Sequence, residues 1–167
     1  MTSKLKTDVL ETGSGSGTIA LNNQLSGMTS ASVPSGSVIQ VLTNKGSAGL
    51  SLTSGSFVTT GMSVAITPSS TSNKILAMFQ STSLTTLAAN TSINVSLRRA
   101  GSEVSKSGYY TAQQAGNQTV PMGTMHTLDS PSTTSATTYE VFVQRGGVSG
   151  TVQINGPLEL TLMEIKG

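Results

Sequence analysis

The sequence predicts an all-β protein: a jelly-roll-like antiparallel β-sandwich preceded by an extended N-terminal arm. Three observations carry that prediction. From Ser37 onward apolar residues recur with a period of two rather than 3.6. The periodic runs are rich in β-branched residues and bounded by Gly, Pro and Asn. About eight to ten such runs follow one another at roughly 8–12-residue spacing, the rhythm of a sandwich or barrel. An immunoglobulin-like sandwich is the second architecture that fits.

Residues 1–36 stand apart as an attachment arm and linker, and residues 37–167 form the sandwich domain. In the arm, Val9-Leu10 and Ile19-Ala20-Leu21 are short apolar islands in a Gly/Ser/Thr/Asn background, and Gly13 to Gly17 is a flexible run on composition. Islands so short bury no core alone, so the arm must lie against another surface. Val33-Pro34-Ser35-Gly36 reads as a turn. Ser37 to Leu42 opens the strand pattern, and Asn44-Lys45-Gly46 reads as the turn after it. Phe57 to Thr60 and Ser63 to Thr67 flank Gly61. Pro68 to Asn73 is a loop. Lys74 to Ser83 places Ile75, Ala77 and Phe79 on one face. Thr82 to Ala89 admits one or two helical turns. Thr91 to Arg99 turns Ile93, Val95 and Leu97 inward, and Ala100-Gly101 reverses the chain. Tyr139, Val141 and Val143 alternate with Glu140, Phe142 and Gln144 up to Gly146-Gly147. Thr151 to Ile154 runs back. Leu158, Leu160 and Leu162 form one face of the last strand, with Met163 and Ile165 on the other. A strand apolar on both faces is usually covered on both. Leu158, Leu160, Leu162, Met163 and Ile165 are therefore candidate subunit-interface residues, a covering loop being the plainer explanation.

Composition narrows the chemistry. Only 10% of residues are charged, against roughly 25% in an average domain. Ser and Thr together number 52, close to a third of the chain. The net charge of +2 is too thin for a nucleic-acid protein. With no cysteine there is no disulfide, thiolate metal site or thiol nucleophile, and a single histidine rules out a multi-histidine metal site within one chain. No cofactor is expected. No secretory signal or membrane-length apolar run is visible, so synthesis in a cytoplasm and no membrane insertion are expected.

No catalytic group stands out. His126, Asp129 and Ser130 are neighbours in sequence, but a triad needs three groups converging on one atom, and Asp-Ser-Pro more simply starts a turn. Seven carboxylates, Asp8, Glu11, Glu103, Asp129, Glu140, Glu159 and Glu164, are scattered. Arg98 and Arg99 point to opposite faces of their strand, one solvated and the other placed to pair with a carboxylate. Tyr109 and Tyr110 are possible glycan-stacking residues, although a strand end with one ring buried explains them as well. The residues favour a structural or binding module over an enzyme.

Lys4-Leu5-Lys6-Thr7-Asp8-Val9-Leu10-Glu11-Thr12 and Gly17-Thr18-Ile19-Ala20-Leu21-Asn22 resemble N-terminal segments of virion-surface and fibre-like proteins of tailed bacteriophages, notably phages of cyanobacteria. Ile66 to Leu76, Leu128 to Pro131, Ser135 to Tyr139 and Leu160 to Ile165 are similar to segments of the same proteins. The resemblance implies a homotrimer of β-sandwich subunits on the virion surface. Read as complete from Met1 to Gly167, the chain has no adaptor domain or shaft, which suits a capsid decoration (cement) protein bound to the major capsid protein better than a short tail fibre joined to tail proteins. Leu5, Val9, Leu10, Ile19 and Leu21 are then the expected arm anchors. The alternative is a receptor- or carbohydrate-binding module of the tail.

Overall fold

A computed structural model of the chain describes residues 33–46, 49–111, 118–121, 125–147 and 149–167. Among these residues there are twelve strands and no helix. They are β1 (Val38–Gly46), β2 (Leu50–Leu52), β3 (Val58–Ile66), β4 (Lys74–Gln80), β5 (Ser83–Thr86) and β6 (Thr91–Arg99), then β7 (Ser102–Thr111), β8 (Gln118–Pro121), β9 (Met125–Asp129), β10 (Thr137–Gly147), β11 (Val152–Asn155) and β12 (Leu158–Ile165). The pairings are antiparallel. The first sheet runs β1-β12-β4-β9, the second β3-β10-β6-β7, and the third β2-β11-β5-β8. The compact unit runs from Val33 to Gly167.

Alternation explains the interior. Successive side chains of a strand point to opposite faces. Ile75, Ala77 and Phe79 of β4 and Leu158, Leu160 and Leu162 of β12 are therefore buried from the first sheet. Ile93, Val95 and Leu97 of β6 meet them from the second, with Tyr139, Val141 and Val143 of β10. Leu52, Leu84, Val152 and Ile154 of the third sheet join the same hydrophobic cluster. The short strands β2, β5, β8 and β11 each lie in a connection that carries the chain between the two main sheets. The third sheet thus closes one end of the interior. The β3–β4 loop, the β6–β7 reversal, the β9–β10 loop and the chain's last residues lie at the other.

Several elements depart from the sequence expectation. Asn44-Lys45-Gly46 is not a turn but the end of β1, paired opposite Leu160, Glu159 and Leu158. Asn44 Nδ2 donates to the Ser63 carbonyl at 3.0 Å, so an amide that favours turns instead bridges to β3. The two runs around Gly61 are one strand. Its pairing with β10 shifts register between Glu140 and Phe142. Gly61 takes a φ of 76°, which glycine adopts without a Cβ penalty. Thr60 Oγ1 donates to the Val141 carbonyl at 2.8 Å, which satisfies a ladder group at the bulge. Thr82 to Ala89 holds the strand β5 and no helical turn, because its backbone pairs with β11 and β8 on either side. Strands β2, β8 and β9 are short and fall outside the strongest alternation.

Residues 33–37, which the sequence groups largely with the arm, bond to the chain's other end. Gly36 N donates to the Lys166 carbonyl at 2.8 Å and Lys166 N to the Ser37 carbonyl at 2.9 Å. Lys166 Nζ reaches the Val33 carbonyl at 2.5 Å.

Phe79 is a fully buried aromatic of the hydrophobic cluster. Phe79→Ala is expected to lower unfolding free energy by about 3–5 kcal/mol. Thr138→Ala, at an exposed strand position, should stay within about 0.5 kcal/mol of the parent. Denaturant unfolding of both variants checks the difference.

Candidate interaction surface

The same alternation that buries Leu158, Leu160 and Leu162 sends Glu159, Thr161, Met163 and Ile165 of β12 outward. Register extends this outer face across the whole first sheet. Val41 lies opposite Met163, Met163 opposite Leu76, and Leu76 opposite Leu128. An apolar row thus crosses four strands. The next row is Thr43, Thr161, Met78 and His126, its two threonine hydroxyls 3.0 Å apart. Beyond it Lys45 pairs with Glu159 at 3.2 Å, and Gln80 Nε2 donates to the same carboxylate at 3.2 Å. At the opposite end stand Val38, Ile165 and Lys74. The large apolar side chains that are strongly exposed among the described residues are Val38 at 53%, Val41 at 51% and Leu128 at 54%. All three belong to this face. A cavity of about 70 Å³ opens beside Met78, Gln80, Glu159 and Thr161. A ligand pocket takes roughly 300–1,000 Å³, so the site is a surface rather than a pocket.

The outer face of the second sheet is built differently. Arg98 lies with its guanidinium 4.8 Å from the Phe57 ring centroid and 4.5 Å from that of Phe142. Lys106 Nζ is 5.2 Å from the Phe57 centroid. Ser96 Oγ donates to Glu103 at 2.9 Å and accepts from Arg98 Nε at 3.4 Å. Gln144 Nε2 donates to the Gly55 carbonyl at 2.5 Å and Arg145 Nε to the Thr53 carbonyl at 2.8 Å, which fixes the loop that delivers Phe57. Here cations cover the aromatic surface, and Glu140 adds a further charge.

Two polar clusters sit at the end of the interior away from the third sheet. Glu164 is shielded from solvent although it ends the leucine face of β12. Its Oε1 accepts from Ser69 N at 2.7 Å, Ser69 Oγ at 2.8 Å and Asn73 Nδ2 at 2.5 Å. Its Oε2 accepts from Gln40 Nε2 at 2.6 Å. Burial opposes ionisation of this carboxyl, but the hydrogen bonds from Asn73, Gln40 and Ser69 outweigh it and hold the pKa below the ordinary value. In the second cluster Asp129 Oδ2 accepts from Arg99 Nη1 and from Tyr139 Oη, each at 2.6 Å. Burial, then the bond to Asp129, pushes the Tyr139 hydroxyl well up. Burial works against the charge of Arg99, but its bond to Asp129 prevails and raises its pKa.

The sequence candidates fall as follows. Leu158, Leu160 and Leu162 are core and unavailable to a partner, because their face of β12 is the inward one. Met163 and Ile165 are half-buried on the outer face. Tyr109 and Tyr110 lie in β7, and their side chains are outside the described residues. Leu5, Val9, Leu10, Ile19 and Leu21 also lie outside them. His126 and Asp129 occupy opposite faces of β9, and Asp129 is engaged by Arg99 and Tyr139. Arg98 is covered by two rings rather than simply solvated. No group of three or more His, Asp or Glu side chains fit to hold a metal occurs among the described residues. Val38, Val41, Leu76, Met78 and Leu128 were not singled out by sequence. Each is an ordinary strand residue until register aligns it.

Compared with protein-family models and with curated proteins, the chain matches none.

Glu164 makes acid stability a direct readout of its cluster. Its folded-state pKa lies below the unfolded one, so its contribution is present above the ordinary carboxylate range and lost as pH falls through the folded value. Glu164→Gln is expected to cost about 1.5–3 kcal/mol at neutral pH. It should also flatten the acid side of the melting-temperature profile between about pH 7 and pH 3.

Proposed function

We propose that this chain is a non-enzymatic structural protein of a phage virion, a homo-oligomeric capsid decoration (cement) protein on the outside of the assembled head. The observation that carries the reading is the strand order. Number the eight strands of the two main sheets one to eight in chain order. The first sheet then reads 1-8-3-6 and the second 2-7-4-5. That interleaving supports the jelly-roll reading, an architecture of viral capsid and lectin domains. The segments that resemble phage virion-surface proteins point the same way, and that resemblance implies three copies per assembly. The small cavity, the engaged Asp129 and the low charge favour attachment by surface over turnover of a ligand.

The mechanism is mass action. A protein that binds only the assembled shell stabilises it by its binding free energy. Linked copies raise the effective concentration of each arm, so weak contacts through Leu5, Val9, Leu10, Ile19 and Leu21 add up to firm attachment.

Immunogold labelling of purified virions with antibody to this protein is the direct test. Label over heads is the expected result. Label confined to tails would replace decoration by a fibre or receptor-binding module, because jelly rolls also serve as lectins. A chain lacking residues 1–26 is expected to fold and no longer bind particles in co-sedimentation. Undiminished binding would overturn the arm's role.

A further inference from the structure

We propose that Asn155 is a site of spontaneous covalent modification, and that the third sheet keeps it unreacted for as long as that sheet stays closed. The site is independent of the virion reading. Asn155-Gly156 is the one Asn-Gly pair in the chain. An asparagine followed by glycine is prone to cyclise, because no Cβ on the next residue obstructs the approach of its nitrogen. In the step, water or hydroxide takes the proton from the Gly156 nitrogen, and that nitrogen bonds to Asn155 Cγ. The Cγ–Nδ2 bond breaks, and Nδ2 takes up a proton and leaves as ammonia. Water then opens the five-membered imide at either carbonyl. One opening yields aspartate. The other yields isoaspartate, whose main chain runs through the former side chain and is one carbon longer.

The closed sheet holds each group that the step must move. Asn155 ends β11 and pairs with Ser83 of β5. Its backbone is therefore extended, whereas the ring closes only when the main chain turns at Asn155. Nδ2, the departing nitrogen, donates to Ser83 Oγ at 3.0 Å and to Thr85 Oγ1 at 3.2 Å. The Thr85 hydroxyl is in turn 2.9 Å from that of Thr119 in β8, so the carboxamide is tied across three strands. Thr82 clamps the peptide that carries the attacking nitrogen. Its N donates to the Asn155 carbonyl at 3.0 Å, and its hydroxyl to the Gly156 carbonyl at 2.7 Å. Gly49 packs against the same peptide: a Cβ there would stand 2.6 Å from the Ile154 carbonyl oxygen and 3.4 Å from the Gly156 nitrogen. Asn155 and Gly156 are half-buried, so geometry rather than dryness is the restraint. Strands β5, β8 and β11 have four residues each, and such short elements open locally at less cost than global unfolding. Each opening frees the pair to react. The longer isoaspartyl chain no longer fits both Thr82 bonds, so the product is a lasting mark of an opening.

Mass spectrometry of the full chain, incubated at mildly alkaline pH both folded and in urea, tests this. Asn155 is the sole asparagine of the tryptic fragment 146–166, so a deamidation mass gain there reports it, and fragmentation separates aspartate from isoaspartate. In urea the conversion is expected to run about 10-fold faster or more than in the folded chain, because every copy is then open. Asn155→Gln should remove the signal, since its longer side chain closes no five-membered ring. Ser83→Ala with Thr85→Val removes both acceptors of Nδ2 and is expected to speed conversion in the folded chain by about 10-fold. A melting transition retained by that variant shows that it reacts while folded. Thr138→Ala, on the second sheet, should leave the rate unchanged. Equal rates in the folded chain and in urea, no conversion in urea, or a folded double variant that reacts no faster than the parent would each overturn the inference.

Discussion

The interior between the two main sheets is the constraint around which the rest of this protein is arranged. No disulfide or metal cluster among the described residues supplements it. Stability therefore rests on apolar area withdrawn from water, at roughly 25 cal/mol per Å². β12 lies between β1 and β4, and β10 between β3 and β6, so each sheet has a central strand whose inward residues are buried. Because a strand has two faces, that choice simultaneously decides what every strand shows outside. The inner leucines of β12 and its outer Met163 and Ile165 are two consequences of one register.

Polar groups close the interior where hydrophobic contact runs out. Gln40 and Asn44 send amides from β1 to carbonyls at Thr67 and Ser63 and so cover the β3 edge of the second sheet. An edge left with open carbonyls would invite pairing with other chains. Glu164 gathers β1, the loop after β3 and the last strand around one carboxylate. Gly167 N adds a bond to Asn73 Oδ1 at 3.1 Å, which ties the final residue to the same loop. A lone buried charge is costly, but four protein hydrogen bonds here replace its water. Asp129 does the same across the two sheets, holding Tyr139 from β10 and Arg99 from β6. Both clusters lie at the end where the chain enters and leaves the compact unit.

Among the described residues, the outer faces of the two main sheets differ in character. The second sheet meets water with paired charges and covered rings, while the first presents an apolar row with little charge. A hydroxyl-rich, charge-poor surface has low desolvation cost on meeting another protein, which supports the proposed virion role. Among the described residues, the carboxylates of Glu164 and Asp129 are engaged in holding the sandwich together.

Much of this was legible in the sequence. The span of β6 and the cores of β10 and β12 follow directly from alternating Ile93, Val95 and Leu97, Tyr139, Val141 and Val143, and Leu158, Leu160 and Leu162, because a half-buried strand writes its two faces into its own residues. The all-β class and the identity of the inward residues come from the same local rule. What the local rule does not contain is which strand lies beside which. Asn44-Lys45-Gly46 looks like a turn until Leu158 to Leu160 pairs with it, and Ser83 to Thr86 is ambiguous until β11 and β8 flank it. Val41, Leu76, Leu128 and Met163 come from four separate segments and become a row only through hydrogen-bond register. Glu164 is one of seven scattered carboxylates until Ser69, Asn73 and Gln40 fold over it. Side-chain alternation is a property of one strand, whereas sheet neighbours and buried polar partners are set by long-range pairing, and only the tertiary structure decides them.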